Sequence, residues 1–239
     1  MGLFDFLKGK KKTAPEKPAQ QEIAEQMISS ARADDSSPGW EAIEDAFKVL
    51  YPEQKNPKHY GTLVKYMFGG PDPLDGISVY DGGEFWHFVS YGLSELYQKE
   101  SDNPQYSGYG IEFTFKLKKK GLVKEEEEIR AACGNLQKLA RYVFETGNII
   151  LPEEYIYTRQ EEGIDLTQKS LLTGFITASD DLLSTLDSPN GKVQFICLIG
   201  ATDAELSQIH NSDASKEEIR KLLAKLKSQM TDYSRHSMI

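Results

Sequence analysis

The chain has 239 residues, 39% of them apolar and 27% charged, enough for one large domain or two small ones. Its 28 Lys and Arg face 37 Asp and Glu, a net charge of −9, which argues against a broad phosphate-binding surface because nucleic-acid affinity is built from cations. Cys133 and Cys197 lie far apart in apolar strings, AACGNL and QFICLIG, so zinc-ribbon, CxxC redox and disulfide-scaffold readings fall away. Both are expected as buried small hydrophobes. No apolar run approaches the ~20 residues of a membrane helix. The start, MGLFDFLKGKKK, places its apolar residues before its lysines, the reverse of a secretory signal, so a cytoplasmic protein is expected.

Residues 1–37 read as a flexible basic and polar amino-terminal segment, with a short helix expected at 22–33. Leu3, Phe4, Phe6 and Leu7 followed by Lys8, Lys10, Lys11 and Lys12 form an apolar-then-basic tip of the kind that touches membranes or partners. A frayed, solubilising terminus is the simpler expectation, and Phe6 stands where a myristoylation signal needs Ser or Thr. The domain proper is placed at 38–230, with 231–239 as a tail. Ser37-Pro38 is a helix start, and Ala42, Ile43, Ala46, Phe47, Val49 and Leu50 give that helix one apolar face. Residues 59–68 suit either strand or helix. The turn-rich GGPDPLDG (69–76) lacks the Lys-Ser or Lys-Thr ending of a phosphate loop.

Strands are predicted at 77–80 and 85–93, joined by a turn at Asp81-Gly82-Gly83, the second apolar on both faces like a central strand. In IEFTFKLK (111–118), Ile111, Phe113, Phe115 and Leu117 point one way, and Glu112, Thr114, Lys116 and Lys118 the other. That alternation predicts a strand with one wet face. The charge run KKGLVKEEEE reads as a loop and a first helical turn. The helix continues through Ile129, Ala132, Cys133, Leu136, Leu139, Ala140, Val143 and Phe144 to a cap at Gly147. Further strands are expected at 149–157, 171–178 and 193–199, with a turn at 188–191. Thr202-x-x-Glu205 and Ser215-x-x-Glu218 are capping boxes opening two more helices. The second carries Ile219, Leu222, Leu223, Leu226 and Met230 on one side and Lys216, Arg220, Lys221, Lys225 and Lys227 on the other, a basic face expected to be solvated. With no strict βαβ alternation, the class is α+β: a mixed β-sheet flanked by α-helices.

Little in the pattern carries catalysis. His59, His87, His210 and His236 have no metal-ligand spacing. His87, inside FWHFVSYGL, reads as a buried, hydrogen-bonded histidine. No GxSxG occurs. Asp72, Asp75 and Glu112 are the residues a metal-dependent nuclease or hydrolase would use. Such a site wants a lysine two residues after the Glu, where Thr114 stands; Lys116 lies ~13 Å along the strand from Glu112. No cofactor or metal is expected. Aromatic residues cluster between Tyr60 and Phe115, which suits a core and an interface equally.

KYMFGGPDPLDGISVY (65–80), FWHFVSYGLSELY (85–97), SGYGIEFTFKLK (107–118), LQKLARYVFETGN (136–148) and PNGKVQFICLIGATDAEL (189–206) occur in that order. Together they resemble the amino-terminal domain of the Suppressor of fused family, over residues 39–226. The resemblance implies that family's α+β fold and a binding module without catalysis. Animal members add a second domain and close both around a peptide of a transcription factor. This single-domain form resembles bacterial relatives associated with secreted polymorphic toxin systems, where they are thought to act as immunity proteins. It therefore implies an immunity or antitoxin protein that neutralises a toxin, for instance a nuclease, by complex formation. The other reading is a sequestering regulator of a different cytosolic protein. In the animal protein the ligand peptide adds as a strand near the region matching WHFVSYGLSELY, which implies Phe88, Glu95, Tyr97 and Glu112 as partner-binding residues. Phe88 stands where the animal sequence has tyrosine. A protein partner is expected, without direct contact to nucleic acid.

Overall fold

The computed structural model describes residues 36–62, 64, 66 and 69–239. The expectations for the amino-terminal tip and for a helix at 22–33 lie outside the described residues. Among those described, the elements run α1 (Pro38–Leu50), β1 (Lys58–Gly61), β2 (Gly76–Asp81), β3 (Phe85–Tyr91), β4 (Tyr106–Lys118), α2 (Glu125–Thr146) and β5 (Tyr155–Ile156). They continue through β6 (Leu172–Ser179), β7 (Leu186–Ser188), β8 (Gly191–Thr202), α3 (Asp203–His210), α4 (Ser215–Leu226) and β9 (Met230–Thr231). None of these helices is long and apolar enough to cross a membrane.

The strands form one mixed sheet ordered β1-β2-β3-β4-β8-β6-β5, with β7 on β8 and β9 on β4. β1 to β4 are joined antiparallel in chain order. β4 then pairs parallel with β8, Phe113 opposite Ile196, and β8 runs antiparallel to β6. Strand alternation sends Ile77, Val79, Phe88, Ile111, Phe113, Phe115, Ile196 and Leu198 to one face, where the α2 stripe Ile129, Ala132, Cys133, Leu136, Ala140 and Val143 covers them. On the other face, α1 packs Ile43 and Phe47 against Tyr80, Val89 and Tyr91. Further along that face, α3 and α4 pack Leu206, Ile209, Ile219 and Leu222 against Ile176, Cys197 and Ile199. The α+β expectation and the long central helix hold. Gly147 caps α2 in the left-handed conformation at φ 71°, and both cysteines are buried thiols.

Several details differ from the sequence reading. The face of β4 carrying Glu112, Thr114 and Lys116 is buried rather than wet. It lies between the α1 cluster and the α3–α4 cluster and is lined with polar groups that find partners inside. Residues 149–157 give only the two-residue β5, and β7 carries no signal of its own in the sequence. Ser215 does not cap α4: Ala214 precedes the helix and no side chain accepts there. The Thr202 capping box forms as expected, with the Thr202 hydroxyl and the Glu205 carboxylate bonding reciprocally. Met230 leaves the α4 stripe, because Lys227 ends the helix at φ 57° and Met230 enters the sheet beside Lys116. Residues 231–239 pack onto the domain. Thr231 pairs with Leu117, and both Arg235 Nη atoms donate to the buried Glu205 carboxylate at 2.7 Å.

Gly39 fixes α1 to the loop that follows β3. Its N–H donates to Leu96 O at 3.0 Å, and an added Cβ would stand 2.1 Å from the Glu95 carbonyl oxygen. Gly39→Ala is therefore expected to cost roughly 2–3 kcal/mol, since backbone must move on both sides. Gly134, inside α2 with open space around it, is the control. Gly134→Ala is expected to stabilise by about 0.5–1 kcal/mol. Urea unfolding of the two variants checks both signs.

Candidate functional site

The residues implied as partner contacts surround the loop from Gly92 to Tyr97, which leaves the end of β3. Gly92 takes φ 134°, with Pro73, Leu74 and Asp75 backbone packed against its α-carbon. The loop is tied down from below by Glu112. Glu112 Oε1 accepts from the N–H of Gly92 (3.0 Å), the N–H of Ser94 (2.9 Å) and the hydroxyl of Ser94 (2.6 Å), while Oε2 accepts from the Ser90 hydroxyl at 2.5 Å. Burial pushes the Glu112 carboxyl up to about 7, against the pull of these four donors.

Glu95 sits at the rim. Its Oε1 accepts from the N–H groups of Glu100 (2.7 Å) and Ser101 (2.5 Å), and its Oε2 from Gly108 N and Lys99 Nζ, both at 3.0 Å. Burial opposes the charge, but these donors outweigh it and hold the carboxyl at about 2. Tyr97 is 38% exposed and its hydroxyl donates to Asp75 Oδ2 at 2.7 Å.

Of the four expected contacts, only Glu95 and Tyr97 reach the surface. Phe88 is core, edge-to-face against Phe115, and Glu112 is fully buried. In this conformation neither can touch a partner. β3 has β2 on one side and β4 on the other, so a peptide cannot add to it as a strand either. The nuclease residues are likewise dispersed in their bonding. Asp72 pairs with Arg141 at 2.7 Å, Asp75 receives Tyr97, and Glu112 is consumed by its four donors. Among the described residues, no group of three or more His, Cys, Asp or Glu is placed to hold a metal ion.

A second buried polar cluster lies farther along the same face, which sequence reasoning missed apart from its histidine. Asp180, just past β6, accepts from Thr114 Oγ1 (2.6 Å), Lys116 Nζ (2.9 Å), His87 Nε2 (3.2 Å) and the N–H of Leu182 (2.8 Å). Tyr51 on the far side donates to His87 Nδ1 at 2.8 Å. Burial lowers the His87 pKa, so the ring is neutral and Lys116 is the countercharge of Asp180. His87 is thus the hydrogen-bonded buried histidine that the sequence predicted. Asp180 had no local signal, being one of two acids in a loop.

The model of the family described as Suppressor of fused protein (SUFU) matches residues 70–236. The chain belongs to the Suppressor of fused family. The Suppressor of fused homologues of Homo sapiens and Mus musculus are each 33% identical to it over 185 residues, which is 70% of this chain and 36% of the relative. The chain thus spans about a third of the length of those curated relatives. Among solved structures, a chain of the Sufu–Fu complex superposes with a TM-score of 0.72 at 30% identity, covering 84% of this chain and 92% of that one. Drosophila Suppressor of Fused gives 0.70 at 30% identity, over 85% of this chain and 52% of the other. A SUFU homologue of Neisseria gonorrhoeae shares the fold, with a TM-score of 0.54 at 14% identity, over 84% and 97% of the two chains.

Proposed function

We propose that this Suppressor of fused domain is a non-enzymatic protein-binding module that neutralises a cognate secreted toxin by forming a stoichiometric complex in the cytoplasm. The observation carrying the binding half is the likeness to the chain of the Sufu–Fu complex, matched over 92% of its length at 30% identity. The internal use of the acids supports the non-enzymatic half: Glu112 and Asp180 are each saturated by donors of the fold. The net charge of −9 supports a basic partner such as a nuclease, whose nucleic-acid surface an acidic protein would approach quickly and then occupy. The animal homologues at 33% identity favour a second reading, a sequestering regulator of another cytosolic protein.

Inhibition separates the two. The toxin reading expects co-expression with the toxic domain to restore growth and the purified complex to be inactive. A partner that binds with its activity intact favours the regulator. For a basic toxin the association rate is expected to fall on the order of tenfold or more between low salt and 0.5 M salt, measured by stopped flow. A salt-independent rate would remove the steering argument.

A further inference from the structure

We propose that the free edge of β1 is a docking site for an extended, acidic segment of a protein partner, which adds to the sheet as a further strand. This rests on the binding reading and supplies its surface. Among the described residues, β1 is paired on one side only. Thr62 N–H donates to Asp75 O at 3.2 Å, and the register sets Tyr60 opposite Ile77 and Lys58 opposite Val79. In an antiparallel ladder the inward-facing residues alternate. Lys58, Tyr60 and Thr62 therefore face β2, while His59 and Gly61 turn their N–H and C=O groups outward. Such a row is a template on which another strand can pair. Lys58, His59 and Gly61 are all exposed.

A groove of about 550 Å³ runs along all four residues of β1, with Glu126 and Arg130 of α2 as its other wall. The chemistry of that wall selects the occupant. The Glu126 carboxylate is shared by Lys58 Nζ (2.6 Å), Tyr60 Oη (2.7 Å) and Arg130 Nη2 (3.2 Å). Two cations thus stand around one carboxylate, and their side chains remain 40% and 65% exposed. The Arg130 guanidinium lies 5.3 Å over the Tyr60 ring, and Tyr and Arg are the residue types that anchor interfaces. Two cations to one carboxylate leave the lining of this lip with one net positive charge, complementary to a carboxylate carried on the added strand.

The test titrates a capped ten-residue peptide of alternating Glu and Val into the full-length, isotope-labelled protein and follows backbone amides by NMR and hydrogen exchange. The amides of His59 and Gly61 are expected to shift and to gain at least tenfold protection at saturating peptide. Lys58 and Tyr60 amides, already bonded to β2, are expected to change little. A Lys-Val peptide of the same length is expected to bind at least tenfold more weakly. Gly61→Pro removes one outward donor without crowding, since a Cβ there meets nothing closer than 3.7 Å, and is expected to weaken binding at least tenfold. Arg130→Glu does the same from the other wall, where the contacts at risk are the shared carboxylate and the Tyr60 ring. No protection at His59 and Gly61 at millimolar peptide overturns the proposal, as does equal binding by wild type and both variants. The binding reading fails separately. Toxin rescue by wild type and by Gly61→Pro alike keeps a binding protein but moves its surface elsewhere, whereas failure of wild type to inhibit any toxin removes the toxin reading and leaves the peptide result standing.

Discussion

Glu112→Ala is expected to lose about 3–5 kcal/mol of folding stability at neutral pH, read from urea unfolding curves, because it leaves four donors around a buried site without their acceptor. The hydroxyls of Ser90 and Ser94 and the N–H groups of Gly92 and Ser94 converge on this one buried carboxylate. Glu112→Gln keeps the volume and one acceptor oxygen, so its cost is expected to be roughly half as large. The order Ala worse than Gln distinguishes a structural acid from a catalytic one, for which both changes would abolish activity while sparing the fold. The pH dependence has a definite sign. The carboxyl titrates at about 7 when folded against 4.5 for the ordinary group, so the folded state binds the proton more tightly. The contribution of this group to stability is therefore full below pH 4.5 and declines as pH rises through 7. The Gln variant is expected to lack that decline. Equal slopes for wild type and variant between pH 5 and 8 would contradict the assignment.

Asp180→Ala is expected to cost a similar amount, about 3–5 kcal/mol, for a different reason: it leaves a buried cation without its main counter-ion. The Lys116 side chain is only 3% exposed, and Asp181, its other carboxylate partner, is itself half in water. The same change strips an acceptor from Thr114 and from His87. Replacing both charges together, Lys116→Met with Asp180→Leu, is expected to recover much of the loss, since a well-packed apolar pair has no desolvation penalty to offset. Additive losses in that double variant would show that His87 and Thr114, not the ion pair, carry the cost. Lys116, Thr114 and His87 hold the Asp180 carboxyl far below its usual range although burial opposes them. Its stabilisation is thus present above the ordinary value of 3.8 and is lost as pH falls below it, the opposite sense to Glu112.

What could be read in advance follows from which physics is local. α2 was legible because its apolar stripe and terminal Gly147 are set by a 3.6-residue period and a backbone conformation, both written in neighbouring residues. The alternation of β4 was legible too, and Ile111, Phe113, Phe115 and Leu117 do share a face. The opposite face was misread as wet because polarity in sequence means either water or a buried partner. The partner here, Asp180, comes from a distant loop. β7, β5 and β9 are two or three residues long and owe their pairing to β8, β6 and β4 rather than to their own composition. Met230 fits the α4 stripe by spacing, yet one left-handed residue, Lys227, diverts it. The family resemblance identified the module, and of the four contacts it implied, Phe88 and Glu112 are buried while Glu95 and Tyr97 reach the surface. Phe88 is aromatic because it fills the core under α2, and the sheet's pairing on both flanks of β3 is invisible in the string that spells it.

The parallel seam between β4 and β8 also sets how the chain can assemble itself. Each flank of the sheet is closed by strands near in sequence, β1 to β4 by successive antiparallel pairings and β6 with β8 across the short β7. The seam joins Thr114 to Cys197 and can close only when both flanks exist and α2 has crossed between them. Loop-closure entropy makes such a contact late and slow. The carboxylates of Glu112 and Asp180 sit beside that seam, so neither obtains its full shelter until the two halves meet. Closure of that midline is therefore expected to limit the rate at which the protein folds.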